Sequence, residues 1–246
     1  GREAGRLEKV MLQKGARGLD ALRHAADQAG VPVQYVPAGR LDRIAPGLTH
    51  QGVVAMAAPI TYQDLDAMLG AIAPTYDAVQ QRKPLLLALD RIEDPHNFGA
   101  LLRSAVAAGA DGVLVPARHM APLSATTVKA SAGTASRIPI ARVDNLAEAL
   151  LRLKERGYWV AGAAGDGETT VWDMDWDRPL ALVMGSEGTG LRPRVAGVCD
   201  VRVAIPLRGH AESLNVSVAG GILLFAAART REALNDREDD AGASSS

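Results

Sequence analysis

The chain has 246 residues, of which 48% are hydrophobic, and a formal net charge of −1. This length suffices for one large α/β domain or two smaller ones. No apolar run approaches the ~20 residues that a membrane-spanning helix needs, so a membrane protein is not expected. The single cysteine, Cys199, excludes a disulfide framework and a thiolate metal cluster. We therefore expect a soluble cytoplasmic protein.

Residues 1–58 are predicted to form a small α/β unit. The unit is mildly basic because it contains eight lysines and arginines and five acidic residues. Such a balance permits contact with nucleic acid. Hydrophobic periodicity and the terminal Gly30 predict its elements. In chain order these are a helix at 16–30, a strand at 31–36, a helix at 41–48 and a strand at 52–57. The unit is small for a domain, and the chain does not open with Met, so we expect that its start is truncated.

Residues 59–83 are predicted to form a linker with one helix, and residues 84–234 to form an α/β domain with a parallel sheet. From residue 84 strands and helices alternate regularly, as in parallel sheets. The predicted strands are 85–90, 112–115, 138–143, 158–164, 180–185 and 201–207. The predicted helices are 97–108, 124–131, 145–156, 191–199 and 213–234. The acidic, serine-ending tail 235–246 is expected to be disordered.

The first loop whose residues could bind a ligand or take part in catalysis follows strand 85–90. It reads R-I-E-D-P-H-N-F-G-A-L-L-R-S. Its single glycine, Gly99, argues against the glycine-rich loop of a dinucleotide-binding domain. Asn97 and Arg103 lie six residues apart at the start of a helix, close enough to converge on one ligand. Taken singly, Asn97 is also explained as a helix N-cap and Arg103 as a solvated or salt-bridged helix residue.

The second loop follows strand 180–185 and reads G-S-E-G-T-G-L-R. Its three glycines allow the backbone to approach a ligand closely. The loop lacks the Lys and Ser/Thr of a P-loop. The carboxylate of Glu187 would repel a phosphate, but it could accept a hydrogen bond from a hydroxyl or an amine.

The third loop, I-P-L-R-G-H-A-E-S-L-N-V-S-V, joins strand 201–207 to the last helix. Ser213 is placed to be the N-cap of that helix and Asn215 lies in its first turn. Strand ends of this kind also bind ligands in open α/β sheets, and both readings stay open here. A nucleophile–base pair of His210 and Ser213 is disfavoured, because no strained elbow surrounds the serine. The five histidines show no ligand spacing, so no metal site is expected.

Together, E-D-P-H-N-F-G-A-L-L-R-S, L-V-M-G-S-E-G-T-G-L and I-P-L-x-G-x-x-x-S-L-N-V-S-V-A resemble the three motifs of the SpoU (TrmH-like) RNA ribose methyltransferases of the SPOUT superfamily. The resemblance covers residues 85 to about 231 and includes K-A-S-A-G-T between the motifs. The front end, with H-Q-G-V-V-A, resembles the small substrate-binding domain of the family members that act on bacterial large-subunit rRNA, the RlmB type.

This resemblance implies a deep C-terminal trefoil knot, which departs from the general expectation of unknotted chains. It also implies S-adenosylmethionine as cofactor and a homodimer whose active site draws on both subunits. The family's catalytic roles fall on Asn97, Arg103, Glu187, Ser213 and Asn215. Its cofactor-binding positions, which act largely through backbone groups, fall on Gly185, Ile205, Leu207 and Leu214.

The implied reaction is methyl transfer to a ribose 2′-hydroxyl, with a guanosine of 23S rRNA as the expected target. Transfer RNA is the alternative substrate, and two further alternatives are an inactive RNA-binding relative and a hydrolase built on His210 and Ser213. The family's proposed base falls on Arg103, but a guanidinium does not deprotonate near neutral pH. We hypothesise that Arg103 orients the hydroxyl and stabilises the developing oxyanion. RNA phosphates are expected at Arg17, Arg23 or Arg208.

Overall fold

The computed structural model describes residues 7–16, 18–57, 60–209 and 212–243. The chain divides into two units, with the boundary between Ile60 and Thr61. Within the described ranges, no helix combines the length and the apolar character that crossing a bilayer requires.

The first unit is a three-stranded mixed sheet with one helix on each face. Its elements are β1 (Leu7–Gln13), α1 (Asp20–Gln28), β2 (Val33–Val36), α2 (Ala38–Ile44) and β3 (Val53–Ala57). β1 is the central strand, parallel to β2 and antiparallel to β3. Side chains alternate along β1: Val10 and Leu12 pack with Ala26 of α1, whereas Met11 packs with Leu41 of α2.

The sequence-based prediction missed β1. The strand reads L-E-K-V-M-L-Q, and Glu8 and Lys9 interrupt the apolar alternation that identifies a strand. The other four elements of the first unit were predicted, with α2 beginning at Ala38 rather than at residue 41.

The second unit is built on seven parallel strands in the order β6-β5-β4-β9-β7-β10-β8. Its strands are β4 (Leu85–Leu89), β5 (Gly112–Pro116), β6 (Ile140–Val143), β7 (Trp159–Ala163), β8 (Thr169–Thr170), β9 (Leu180–Met184) and β10 (Val201–Ala204). Its helices are α3 (Leu65–Ile72), α4 (Tyr76–Arg82), α5 (Pro95–Ala107), α6 (Ala125–Ala130), α7 (Leu146–Glu155), α8 (Pro193–Ala196) and α9 (Val216–Ala243), with a 3-10 turn at Thr134–Arg137. The predicted α/β class with a parallel sheet is confirmed; the two-residue β8 was not predicted.

Helices cover both faces of this sheet, which explains why β4 reads L-L-L-A-L with all five residues buried. On one face, Leu69 of α3 and Leu150 of α7 pack into a core with Leu86. Elsewhere α5 packs against α6 and α9, and glycines permit the close approach. A Cβ at Gly99 would lie 2.5 Å from the carbonyl oxygen of Thr127, so α5 and α6 could not pack as they do with any larger residue there.

The interval 59–83, expected to be a linker, contains α3 and α4. Leu65, Met68, Leu69 and Val79 from these helices lie in the core of the second unit, so the interval from Thr61 onward belongs to that unit. The last helix also differs from expectation. α9 continues to Ala243, through residues for which disorder is expected from position 235.

The site is positioned by the order of the strands. From β4 the chain proceeds outward on one side to β5 and β6, whereas β9, β7 and β10 lie on the other side. Ligands of open α/β sheets bind where the strand order reverses, at the carboxyl ends of the strands. Here that point lies between β4 and β9, the strands that precede the first two loops singled out in the sequence.

Candidate active site

The three loops meet at the carboxyl edge of the sheet through Asn97, Glu187 and Asn215. Asn97 is a buried residue of α5, Glu187 lies in the β9–α8 loop, and Asn215 immediately precedes α9. The amide of Asn215 donates to Asn97 Oδ1 at 3.0 Å and to Glu187 Oε1 at 2.6 Å. Asn97 Nδ2 donates to the same Oε1 at 3.2 Å. One residue from each of the three loops thus takes part in a single hydrogen-bonded cluster.

The two oxygens of Glu187 have different surroundings. Oε1 accepts three hydrogen bonds, the two from the asparagine amides and a third from the backbone N–H of Val216 at 3.2 Å. The N–H of Val216 is one of the free donors at the start of α9, where a negative charge is favoured. No group in the described part of the chain donates to Oε2. Glu187 therefore uses one oxygen to hold the three loops together, while its other oxygen is free to accept a hydrogen bond.

Asn215 is the N-cap of α9. Its Oδ1 accepts from Ser217 N at 3.0 Å and from Val218 N at 3.3 Å, and also from Ser217 Oγ at 2.6 Å. The prediction that Ser213 caps this helix is wrong, because the helix begins at Val216 and an asparagine directly before it satisfies the same free amides. Asn97 is not a cap either. Asp94 caps α5 by accepting from His96 N at 3.0 Å.

A second carboxylate, that of Asp90, holds the β9–α8 loop in place through Arg192. It is fully buried and follows directly on β4. Its Oδ1 accepts from Arg192 Nε at 2.6 Å and its Oδ2 from the backbone N–H of Arg192 at 2.8 Å. Sequence reasoning missed this pair. The available signal was a charged residue at the end of an otherwise apolar strand, where a buried charge requires a partner.

A cavity of about 320 Å³ opens beside the cluster of Asn97, Glu187 and Asn215. Its walls come from the β4–α5 loop, from Ser186 and Glu187, and from Val216. Arg91 lines this cavity and was also missed in the sequence. Its Nη2 donates to Thr189 Oγ1 at 2.8 Å, which links the first loop to the second. The cavity can therefore present a carboxylate oxygen and a guanidinium to one ligand.

Arg103 and Ser213 are not brought into the cluster. Arg103 is exposed on α5, and Ser213 is exposed in the loop before α9. The side chain of neither residue forms a hydrogen bond or an ion pair with any residue that the structure describes. Arg103 and Glu187 are thus not hydrogen-bonded to each other within one chain.

Gly185, Ile205, Leu207 and Leu214 have free backbone groups. With respect to the described residues, the N–H and carbonyl groups of all four lack hydrogen-bond partners. Gly185 is also crowded: a Cβ there would lie 2.3 Å from the carbonyl carbon of Gly190. Free backbone donors and acceptors beside the apolar side chains of Leu207 and Leu214 suit a ligand that has both polar and apolar parts. These residues fit S-adenosylmethionine, which carries no phosphate for a glycine-rich loop to hold.

Other groups considered in the sequence contribute nothing to this cluster. The thiol of Cys199 is half-buried and donates to the Val195 carbonyl at 3.3 Å, and burial raises its pKa to about 11. The described residues contain no group of three potential metal ligands. Arg23 and Arg208 are exposed. His210 and Arg17 lie outside the described residues, so the His210–Ser213 pair and the RNA contact at Arg17 are not addressed by the structure.

Two family profiles match the chain. The SpoU rRNA Methylase family matches residues 84–225, and the profile described as RNA 2′-O ribose methyltransferase substrate binding matches residues 2–63. Together they account for both units of the fold.

Individual proteins extend this similarity over nearly the whole chain. A protein of Staphylococcus haemolyticus named as a TrmH-family tRNA/rRNA methyltransferase is 41% identical over 233 residues, which cover 94% of this chain and 91% of that one. The SpoU methyltransferase AviRb of Streptomyces viridochromogenes, crystallised with its cofactor AdoMet, aligns with a TM-score of 0.76 at 25% identity, covering 94% of this chain and 86% of that one. An AdoMet-bound rRNA methyltransferase of Sinorhizobium meliloti aligns with a TM-score of 0.75 at 28% identity, covering 93% and 82%.

Proposed function

The chain belongs to the SpoU family of RNA methyltransferases, and from this premise we propose that it methylates a ribose 2′-hydroxyl of bacterial 23S rRNA, at a guanosine. It is an RNA methyltransferase of the SpoU/TrmH type, and its cofactor is S-adenosylmethionine. The observation that carries the proposal is the convergence of Asn97, Glu187 and Asn215, one from each motif loop, beside a cavity at the switch point of the sheet.

Gly185, Ile205, Leu207 and Leu214 would hold the cofactor through their free backbone groups. Bound S-adenosylmethionine supplies an electrophilic methyl group on a sulfonium. The chain's own part is to place the ribose 2′-hydroxyl correctly and to lower the energy of the oxyanion that develops on it. Glu187 Oε2 is suited to accept a hydrogen bond from the substrate, because the other oxygen of that carboxylate is fully occupied.

Arg103 is the residue we assign to the oxyanion. A guanidinium keeps its proton near neutral pH, so it acts as a hydrogen-bond donor and positive charge and not as a base. Its exposure on α5 and the absence of a partner for its side chain among the described residues fit a homodimer in which the two subunits share the active site. Val218 and Phe225 on α9 are each 51% exposed and supply apolar surface for such an interface. We further propose that the second unit is knotted at its C-terminal end, and that the enzyme is cytoplasmic.

Ribosomal RNA is favoured over transfer RNA by the first unit, whose match to a substrate-binding profile indicates a dedicated RNA-recognition domain. Transfer RNA is the alternative substrate, and the combined tRNA/rRNA naming of the Staphylococcus haemolyticus relative supports keeping it. An inactive RNA-binding relative is disfavoured, because such a protein would have no reason to keep the polar cluster intact.

The test is methyl transfer from labelled S-adenosylmethionine to unmodified 23S rRNA and, in parallel, to unmodified transfer RNA. The product is mapped by cleavage that 2′-O-methylation blocks. We expect a single protected ribose in 23S rRNA. A protected ribose in transfer RNA alone would show that transfer RNA is the substrate instead. No transfer to either RNA, together with no cofactor binding, would overturn the enzymatic assignment.

Substitution of Arg103 tests its assigned role. We expect Arg103→Lys to lower kcat by about 100-fold, because a single ammonium does not reproduce the fork of a guanidinium. The affinity for S-adenosylmethionine, measured by calorimetry, should stay within about twofold of the wild type. Nearly full activity of Arg103→Lys would exclude Arg103 both as the base and as the bidentate orienting group.

A further inference from the structure

Arg91 has a backbone conformation that side-chain-bearing residues rarely adopt. Its φ is +63°, in the left-handed region that favours glycine. Strain of this kind persists where the surrounding structure holds it, and it concentrates at ligand-binding sites. Here the strained turn follows β4 and directs the Arg91 side chain to the wall of the cavity that also contains Glu187.

The Arg91 guanidinium is anchored at one point and unsatisfied at others. Nη2 donates to Thr189 Oγ1 at 2.8 Å, and Thr189 Oγ1 lies 2.6 Å from Ser186 Oγ. Nε is buried and has no hydrogen-bond partner in the part of the chain that the structure describes. A guanidinium offers five N–H donors, and among the described residues only the one bond to Thr189 is made. The group is therefore held in place with most of its donors unused.

Its positive charge also lacks a counter-ion in the described part of the chain, although three acids line the same cavity. None of the three pairs with Arg91: Asp94 caps α5, Glu187 accepts its hydrogen bonds on Oε1, and Glu93 lies 3.8 Å from His119. All three keep their negative charge, so a phosphate is held here only by direct hydrogen bonds to the Arg91 guanidinium, with a hydroxyl and not the phosphate facing Glu187. An anchored guanidinium with free donors is the arrangement that proteins use for phosphate, which accepts two parallel hydrogen bonds.

We propose that Arg91 binds the RNA phosphate adjacent to the target ribose and thereby positions the 2′-hydroxyl beside Glu187. This inference rests on the proposed function. In RNA a phosphodiester is attached to the carbon next to the one that carries the 2′-hydroxyl, so one cavity can accommodate both groups. The carboxylate of S-adenosylmethionine is the other anion that could bind Arg91. However, the four residues assigned to the cofactor, Gly185, Ile205, Leu207 and Leu214, do not line this cavity.

The test compares Arg91→Gly, Arg91→Lys and the wild type. Glycine removes the guanidinium and relieves the strained φ, so Arg91→Gly should fold with an unchanged or higher Tm. We expect its KM for unmodified 23S rRNA to rise at least tenfold, and its Kd for S-adenosylmethionine to stay within twofold. The slope of log Kd for rRNA against log salt should fall by about 0.7 to 0.9, as expected for one lost phosphate contact. Arg91→Lys should keep the salt slope and show a smaller rise in KM.

The matched control is Arg152→Gln, which removes an exposed arginine at the end of α7, at the opposite edge of the sheet, where it pairs with Asp66. It should leave the KM for rRNA and the salt slope unchanged. An Arg91→Gly enzyme with wild-type KM and salt slope would overturn the inference, as would a tenfold weaker Kd for S-adenosylmethionine with unchanged rRNA binding. If the wild type methylates neither RNA, the proposed function is refuted independently of Arg91. In that case the salt dependence of rRNA binding still tests Arg91, because an equal slope for Arg91→Gly and the wild type would refute its role.

Discussion

Two carboxylates at the carboxyl edge of the sheet are held in different ways. Asp90, under the β9–α8 loop, is fully buried and engages both oxygens with Arg192. Glu187, in the rim of the same loop, is exposed and gathers three neutral donors on Oε1 alone. The buried carboxylate of Asp90, on the floor of the site, is thus paired with a positive charge. The exposed carboxylate of Glu187, on the rim of the site, accepts hydrogen bonds from neutral N–H groups on one oxygen, and its second oxygen remains available.

The two carboxylates, in different loops, therefore have different capacities. A buried carboxylate with two occupied oxygens can only maintain the position of its neighbours. A carboxylate that is hydrogen-bonded on one side is fixed in orientation and can still accept a proton-bearing group of a substrate. We therefore predict that substitutions in the Asp90–Arg192 pair mainly lower the stability of the fold. Conservative substitutions of Glu187 should mainly lower the rate of methyl transfer.

The largest effect is expected for Arg192→Met, which leaves the Asp90 carboxylate buried without its counter-ion. Breaking a buried ion pair from one side costs about 3–5 kcal/mol. Since Arg192 is 38% exposed in its side chain, we expect the lower end, about 3 kcal/mol, measured as the free energy of unfolding in urea. Asp90→Asn should cost less, because the remaining guanidinium can be hydrated. Equal stability of Arg192→Met and the wild type would contradict the assignment of Asp90 as the structural acid.

An intermediate effect is expected for Glu187→Gln, and it should appear in the rate. The amide oxygen can take the place of Oε1 and accept from Asn97, Asn215 and Val216, so stability should fall by less than about 1 kcal/mol. The group facing the cavity changes from a charged acceptor to an NH2 donor, which should lower kcat by at least about tenfold. Glu187→Ala is the contrast, because it removes the shared acceptor and should lower both stability and kcat. A fully active Glu187→Gln enzyme would show that the carboxylate serves only to join the loops.

The smallest effect concerns Cys199, a titratable group of the same unit with no assigned role in the site. Burial disfavours the thiolate and raises the pKa of this thiol to about 11. At pH 7.5 roughly one molecule in 3,000 then carries a thiolate, compared with about one in ten for an ordinary cysteine. Iodoacetamide should therefore label the folded protein slowly, and faster as the pH rises toward 11, without changing methyl transfer at pH 7.5. Protein unfolded in guanidinium is the control, and rapid labelling of the folded chain would contradict the burial of the thiol.

The sequence predicted most of the second unit from residue 84 onward because its strands are buried on both faces and several of its helices begin at a capping residue. β4 and β9 read as uninterrupted apolar runs, and the three motif loops follow strands that the sequence identifies. Asn97, Glu187 and Asn215 converge because the carboxyl ends of parallel strands lie at one edge of the sheet.

Other features depended on contacts that no local pattern encodes. β1 carries Glu8 and Lys9, so its central place in the first sheet follows from pairing with β2 and β3 and not from periodicity. The cap of α9 was placed two residues early because serine and asparagine cap equally well, and the register against Glu187 selects Asn215. Arg91 was overlooked because only its φ and its partnerless Nε distinguish it from a surface arginine.

The position of β9 has a consequence for how the chain is made. β9 pairs with β4 on one side and β7 on the other, although it is the last of the three to be synthesised. Until residues 180–184 leave the ribosome, β4 and β7 each have one unpaired apolar edge. Such edges invite pairing with other chains, and closing them requires contacts between distant parts of the sequence, which form slowly. A nascent chain halted before residue 180 is therefore the form of this protein with the greatest need of a chaperone.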